Sequence, residues 1–560
     1  MRRTLLVLTA VLGGLLLLAG TAVAVVFGPD DTAEAPPAAL PSGTRAAATV
    51  PGLLAWRDAT VRVTAHADGE VFVGAGHPVD VDSYLTGVRH VRFDAVSPLD
   101  GASGGSRGDA AAPAVAPQDV DMWDAAAHGT GPRSLTLALD GTPTSVAVLA
   151  AADGAEVTFG LVVEHAFVVG VAVGVAGLVL VVVCVVVARR RRRVRRGAAG
   201  LAVHPGATAV PGTAPDGPTL AGTTVRRAAG RRARPVAWAL PVAGALALSG
   251  CAAVPQQVEA GEPTRPGITQ EDLTAALADY DERNNAAIDL SSREHDPSGW
   301  ATADRGVVLR VDHHHTRYAA ASKAEKTAGT PVTTTADALV SPSFARYPMW
   351  FTVAGRVDAE GEDGPVRVLL VYERDGVLDP WRLSASITLP AQKRLTPRAP
   401  GDASTPTGAQ VEAAQALTEQ IATYLETGED GGVTMPKRVV ALREQMVGDP
   451  GTTKLAEVTV EAVGSGDDPA DPGEGTPKVA VVEEGALVTA TFVVSYTQKS
   501  ARGDVTLAFN DQAFAEAVGQ PGQRSSFDLA SVLEVAAVLP DEGAPTFLGA
   551  SVSPVAAVRG

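Results

Sequence analysis

Residues 166–196 read AFVVGVAVGVAGLVLVVVCVVVARRRRRVRR. The first twenty-three carry no charge, and seven arginines fill the next eight positions. At about 1.5 Å per helical residue the uncharged part, 166–188, is long enough for a hydrocarbon core of about 30 Å. Arginines crowded at one end of such a helix mark its cytoplasmic end. An arginine run elsewhere would suggest nucleic acid. Beside a spanning helix it reads as a stop-transfer signal that contacts anionic lipid, at about 1 kcal/mol per residue before screening, and nucleic acid is not expected as a partner.

Working outward, 4–27 is a second uncharged stretch, preceded by Arg2 and Arg3 and long enough to span. Ala22 and Ala24 offer a small-residue cleavage site, yet the apolar run is longer than the core of a signal peptide, so retention as an anchor over 1–27 is the expectation. The polypeptide from 28 to 163 then lies outside, as a linker at 28–50 and an exported β domain at 51–163. The basic stretch 189–234, rich in Gly, Ala, Pro and Thr and closing with Arg226, Arg227, Arg231, Arg232 and Arg234, is a cytoplasmic linker. A third apolar segment, 235–254, ends in Leu248-Ser249-Gly250-Cys251.

Those four residues resemble a bacterial lipobox. The resemblance implies that Cys251 is diacylglycerated and becomes a mature N-terminus. Here the motif stands far from the start of the chain, so an uncleaved third helix and a fusion of a membrane protein with a lipoprotein are the other readings. In each of them the residues after Cys251 are outside. The preference for Arg over Lys with abundant Ala, Val, Gly and Pro resembles the composition of actinobacterial-type envelope proteins. The two cysteines, Cys184 and Cys251, lie in or beside apolar segments, so no disulfide is expected in either exported region.

A chain of 560 residues exceeds one hydrophobic core. In 51–163, short alternating runs at 60–65, 88–93, 134–139 and 145–150, with turns at Asp68-Gly69 and Asp140-Gly141, predict an all-β sandwich. Trp56 and Trp123 are assigned to its core, and 101–117 to a low-complexity loop. Gly170 and Gly174 form a GxxxG spacing that lets another helix approach.

After a linker at 255–268, Thr269 with Asp272 predicts a helix start, and Leu273, Ala276, Leu277, Tyr280 and Ile288 continue it over 270–290. Strands are predicted at 307–318, 347–357, 366–373 and 381–389. Past a linker at 395–407, Val411, Ala414, Leu417, Ile421 and Tyr424 mark another helix. Strands at 455–463, 486–496, 505–509 and 533–539 follow. The expectation is therefore a multidomain membrane protein whose C-terminal region is α+β, in two helix-plus-antiparallel-sheet units at 269–394 and 408–560. By element order these units resemble the nuclear transport factor 2 fold, whose curved sheet can enclose a pocket; no functional residue carries over.

Candidate chemistry is sparse. His313-His314-His315 would place two imidazoles on one strand face about 7 Å apart, with Asp312 beside His314, which leaves a metal short of ligands. Tyr347, Trp350, Phe351, Tyr372 and Trp381 are read as core rather than a ligand pocket. The acidic stretches 360–363 and Asp467-Asp468 read as exposed loops, and Arg502-Gly503-Asp504 as a turn. No catalytic, cofactor-binding or metal-ligating residue is assigned, no cofactor is expected, and Cys251 stands as the lipidation residue. The expected role is an envelope-anchored binding or interaction protein with membrane lipids, and cell-wall or envelope proteins, as partners. The alternative is an envelope enzyme of hydrolase type.

Overall fold

The computed structural model describes residues 2–199, 255–259, 261–359, 361, 364–398, 405–468, 471, 473–503 and 505–557. The segment 235–254 with Cys251, the acidic residues 360, 362 and 363, and Asp504 lie outside them. The chain divides into two compact units, one formed by Met1–Gly76, Gly87–Ala112 and Trp123–Ala260, the other by His77–Thr86, Pro113–Met122 and Gly261–Gly560.

The first unit begins with α1 (Arg2–Phe27), then β1 (Thr32–Glu34), β2 (Ala38–Ala39), β3 (Ala46–Thr49), β4 (Trp56–His66) and β5 (Glu70–Gly76). A short α2 (Pro78–Tyr84), which belongs to the second unit, precedes β6 (His90–Ser97) and β7 (Gly101–Arg107). The remainder is β8 (Trp123–Thr130), β9 (Arg133–Asp140), β10 (Ser145–Ala150), β11 (Glu156–Val162), α3 (Ala166–Ala199) and β12 (Gln256–Gln257). Two six-stranded sheets result, one running β1-β11-β4-β12 with β2 and β9 alongside, the other β7-β6-β3-β10-β5-β8. Val63, Ala65, Val157 and Phe159 of the first share a core with Val71, Val73, Val91, Phe93, Val146 and Val148 of the second.

Two expectations change here. Residues 28–50, expected as a tether, supply β1, β2 and the fully buried β3, because their alanines are small enough to sit between larger strands. Residues 101–107, expected in a loop, form β7. Its Gly- and Ser-rich sequence carries no strand signal, and pairing with β6 supplies the hydrogen bonds.

Among the described residues two helices, Thr4–Phe27 and Ala166–Arg193, are long and apolar enough to cross a membrane. They pack on each other through glycine. A Cβ on Gly170 would stand 2.8 Å from the Ala24 nitrogen, one on Gly13 3.0 Å from the Gly177 carbonyl, and one on Gly20 would collide with the Gly174 backbone. The GxxxG face therefore receives a helix of its own chain, since only hydrogen fits at that approach.

The second unit continues with β13 (Arg265–Pro266), α4 (Leu273–Glu294), α5 (Gly306–Ala321), β14 (Val332–Val340), β15 (Ser343–Phe344), β16 (Met349–Ala359), β17 (Val366–Arg374) and β18 (Arg382–Thr388). It closes with α6 (Gly408–Thr427), α7 (Lys437–Val447), β19 (Thr453–Ala462), β20 (Lys478–Val482), β21 (Gly485–Ser500), α8 (Gln512–Ala517), β22 (Ser526–Leu539) and β23 (Thr546–Val555). The sheets run β14-β16-β17-β18 and β19-β21-β22-β23, the latter with β20 also on β21. Each half thus places two helices before an antiparallel meander.

The halves share one unit because their sheets lie back to back. On β17, Val368, Leu370 and Tyr372 join a core with Leu273, Leu277 and Tyr280 of α4, whereas Leu369 and Val371 join Leu487, Ala536 and Val538 of the other sheet. On β22, Leu533, Val535 and Ala537 pack with Leu417, Ile421 and Leu442 of α6 and α7. Strands buried on both faces account for the unbroken apolar runs at 368–372 and 535–539. The expected units 269–394 and 408–560 are therefore two halves of one body.

The predicted strand 307–318 is the helix α5. Val307, Leu309 and Val311 alternate, but Leu309, Asp312 and Thr316 also fit helical spacing, and a short apolar run satisfies either period. The predicted strand 505–509 is absent, and Leu507 makes an isolated bridge to Arg524.

Candidate functional site

The two sheets meet over apolar side chains interrupted by a polar layer. Glu373, at the end of β17, follows Leu369 and Val371 on the face turned to the second sheet. It is buried, and its Oε1 lies 2.8 Å from Lys478 Nζ on β20, while Ser465 Oγ donates to Oε2 at 2.8 Å. Burial alone would raise this carboxyl. The Lys478 charge and hydrogen bonds from Lys478, Ser384 and Ser465 outweigh it and hold Glu373 below its ordinary value. A cavity of about 10 Å³ is lined here by Ser384, Ser465, Thr476, Lys478, Thr489 and Thr491. It has room for a single water.

A second carboxylate in this layer is handled differently. Glu534 of β22 is buried and accepts a hydrogen bond from the Ser386 backbone at 2.7 Å; burial pushes it up to about 8. At the edge, Arg305 bonds Asp375 at 2.9 Å, and Asp467 bonds Arg382 at 2.8 Å and lies 3.9 Å from Arg305. Asp467 thus lies in an exposed loop, as expected, and is paired there with the buried Arg305 and the half-buried Arg382.

Under α4 and α5 lies a pair of carboxyl groups. Asp304, just before α5, is buried and accepts a hydrogen bond from the Tyr280 hydroxyl at 3.2 Å. Burial raises it well above the usual range, and the nearby Asp312 charge adds to this. Burial also pushes Asp312 up to about 7, tempered by a side-chain hydrogen bond with Asp304. Two acids that resist ionising together hold a proton near neutral pH.

The histidines fall on three directions of α5. His314 is buried against Phe514, at 6.0 Å between rings, and burial drives it down to about 4. His315 faces outward, 3.9 Å from Asp312. Among the described residues no group of three or more His, Cys, Asp or Glu stands close enough to hold a metal. The aromatic set converges in the core: Phe351 stacks on Tyr372 at 5.1 Å and meets Trp381 edge-on at 4.7 Å. Arg374 covers Trp381 at 4.5 Å and donates to the Tyr347 hydroxyl at 2.8 Å. Trp350 contacts Phe344 at 5.9 Å, and in the first unit Trp123 packs on Phe72 at 5.0 Å. Arg502 sits in a turn closed by the Ser500 hydroxyl. Of the buried acids, Asp304, Glu373 and Glu534 were not singled out by sequence. Glu534 is a lone carboxylate in an apolar run, Glu373 ends such a run, and Asp304 stands just before α5, so their burial becomes readable only once the elements that cover them are known.

In these features two helices apolar enough to cross a membrane bracket a β-rich region, followed by an α+β unit whose two halves share an element order and enclose a polar layer. The second part is a known module. Residues 264–559 match the family described as Domain of unknown function (DUF8094), more than half of the chain, and the chain belongs to that family. No curated protein matches it.

Proposed function

We propose that this chain is an envelope-anchored, non-catalytic binding or interaction protein that presents both of its folded regions on the outer face of the membrane. The observation that carries the reading is the return of the chain after α3. That helix leaves β11 and runs into its arginines, yet β12 pairs with β4 of the same sheet through Gln256 with Arg57 and Gln257 with Trp56. A return to the sheet from which α3 departs supports a further crossing before residue 256, with 235–254 as the third span or lipoprotein-type signal, 189–234 cytoplasmic and both folded regions outside. Cys251, five residues before Gln256, then sits at the outer face, where a lipobox cysteine is acylated. Helix-then-meander order, found twice in 264–559, supports the likeness to nuclear transport factor 2. Arginine-rich, lysine-poor composition supports an actinobacterial-type envelope. Membrane lipids and envelope or wall proteins are the partners in this reading.

The non-catalytic part rests on compensation. Ser465 donates to a carboxylate held low by Lys478, which makes Glu373 a weak proton acceptor. Reporter fusions near residues 100 and 400 should read outside and one near 215 inside; a cytoplasmic signal at 400 sinks the placement. The second reading, an envelope enzyme of hydrolase type, draws on the Asp304–Asp312 pair, whose raised carboxyls suit a general acid. Turnover of a wall-derived substrate that is lost in Asp312→Asn with folding intact would establish it instead.

A further inference from the structure

The geometry points to a carboxylate-recognition site on the family module, formed by Arg265, Tyr347 and Arg374. The helix α2 occupies it in cis, and an acidic helical peptide of a partner protein takes it when α2 is displaced. The site names a partner class for the binding reading above and rests on that reading for placing α2 and the module on one side of the membrane.

The three side chains gather at one end of the sheet β14-β16-β17-β18. Arg374 closes β17 opposite Met349 of β16, Tyr347 precedes that strand, and Arg265 lies on β13. Asp80 of α2, only 1% exposed, brings its carboxylate to them. Its Oδ1 accepts from the Tyr347 hydroxyl at 2.8 Å, and its Oδ2 pairs with Arg265. Arg374 donates to the same hydroxyl at 2.8 Å and lies over the rings of Trp381 and Tyr347, at 4.5 and 5.3 Å. Val79 joins the core beside Ile268 and Met349, and one helical turn beyond, Ser83 Oγ accepts from the Val377 nitrogen at 3.0 Å. The pattern read is thus an aspartate after a valine, with a hydroxyl three residues on, along one helix face.

The occupant is exchangeable. All three recognising side chains belong to residues 264–559, whereas α2 comes from outside that match. It has seven residues, too few to hold a helix without its seat, and it joins the chain at Gly87, whose φ of 76° lies in the left-handed region. The seat also retains capacity. Among the described residues Arg374 Nε is buried with no hydrogen-bond partner, a donor that a ligand with a further carboxylate would satisfy. Asp272 and Asp379 lie close enough to Arg374 to favour its charge, so selection works through seating and hydrogen bonds rather than through an unbalanced positive field. His77 adds no charge, because burial and the Arg265 guanidinium hold it down at about 4.

The test uses the full chain in detergent and a fluorescent peptide of residues 76–87, followed by anisotropy. The unmodified chain should leave the peptide free. Asp80→Asn should bind it, and a chain with 77–86 replaced by a Gly-Ser linker should bind it more tightly. Asp80→Asn within the peptide should weaken binding by about thirtyfold, and Arg265→Ala in the linker chain should abolish it, since each leaves a buried charge unpaired. No saturable binding by either opened chain, with near-ultraviolet circular dichroism unchanged, overturns the proposal. Where the linker chain fails to fold, Asp80→Asn alone decides. Equal binding of the two peptides also overturns it, in favour of apolar adhesion. Binding by the unmodified chain as strong as by the linker chain, with the reporter at 400 outside, overturns the occupancy by α2. A reporter at 400 that reads inside removes the placement itself and is scored apart from the peptide result.

Discussion

The two halves of the C-terminal unit have the same element order and opposite interiors. In the second half the space between helices and sheet is predominantly apolar and, among the described residues, holds no buried acid pair, with Leu417, Ile421, Leu425, Leu442, Met446 and Phe492 meeting Leu533 and Val535. In the first half the equivalent space holds Tyr280, Tyr372 and the acids Asp304 and Asp312 beside Leu273, Leu277 and Phe351. One architecture therefore serves two purposes. The second half is built as ballast, and the first retains groups whose ionisation couples folding to pH.

The largest expected effect lies in the apolar half. Phe492→Ala, at a fully buried ring, should cost about 3–5 kcal/mol, read from the urea midpoint of the full chain in detergent. A loss below about 1 kcal/mol would mean that this half is not the stable one. Next comes the layer between the halves. Lys478→Met strands the buried Glu373 charge and should cost about 3 kcal/mol, while Lys478→Met with Glu373→Leu should recover most of that. If the double variant is as weak as the single one, the layer acts through packing and not through charge.

The pH dependence sharpens the comparison further. Glu534 and Asp312 have folded values of about 8 and about 7, above their ordinary 4.5 and 3.8. The stability each contributes is complete below its ordinary value and is lost as pH rises through its folded value. Glu373 is shifted down, so its contribution fades only in more acidic solution. Between pH 5 and pH 8 the unit should thus become less stable as pH rises, by about 1–3 kcal/mol per unit where one to two protons are linked. Glu534→Gln should flatten the upper part of that slope, and hydrogen exchange of β22 amides at the two pH values measures it. The smallest effect belongs to the outer side of α4, where Arg293 bonds Asp289 at 2.7 Å four residues away in solvent. Arg293→Ala should change the urea midpoint by no more than about 0.5 kcal/mol of stability.

Much of this architecture was legible because its signals are local. The Thr269 hydroxyl accepts from the Asp272 nitrogen, although the helix begins at Leu273 and not at 270, and the helical spacing from Val411 to Tyr424 lies inside α6. The apolar run at 486–496 lies inside β21. What was hidden depends on partners far away in sequence. The strand β7 exists through its pairing with β6, and α5 was concealed by a run that fits two periods at once. The polar layer was out of reach for the same reason. Glu373 meets Lys478 across more than a hundred residues, and nothing near either one announces the other.

Asp31 gives the helix pair a further meaning. Placed between α1 and β1, it accepts hydrogen bonds from the backbone nitrogens of His165 at 3.0 Å and Phe167 at 2.9 Å, where α3 begins, while Thr32 and Val162 lie opposite each other in the adjoining strands. The start of the second helix is thus held by a residue made more than 130 positions earlier. A leader peptide is disposable because nothing later in the chain is cut to its shape. Here, removal of residues 2–24 would strip Gly170, Gly174 and Gly177 of the backbone they were hollowed to receive, leaving an open notch on α3. To a processing protease the Ala22–Ala24 site would look ordinary, but to the finished molecule it falls within a joint.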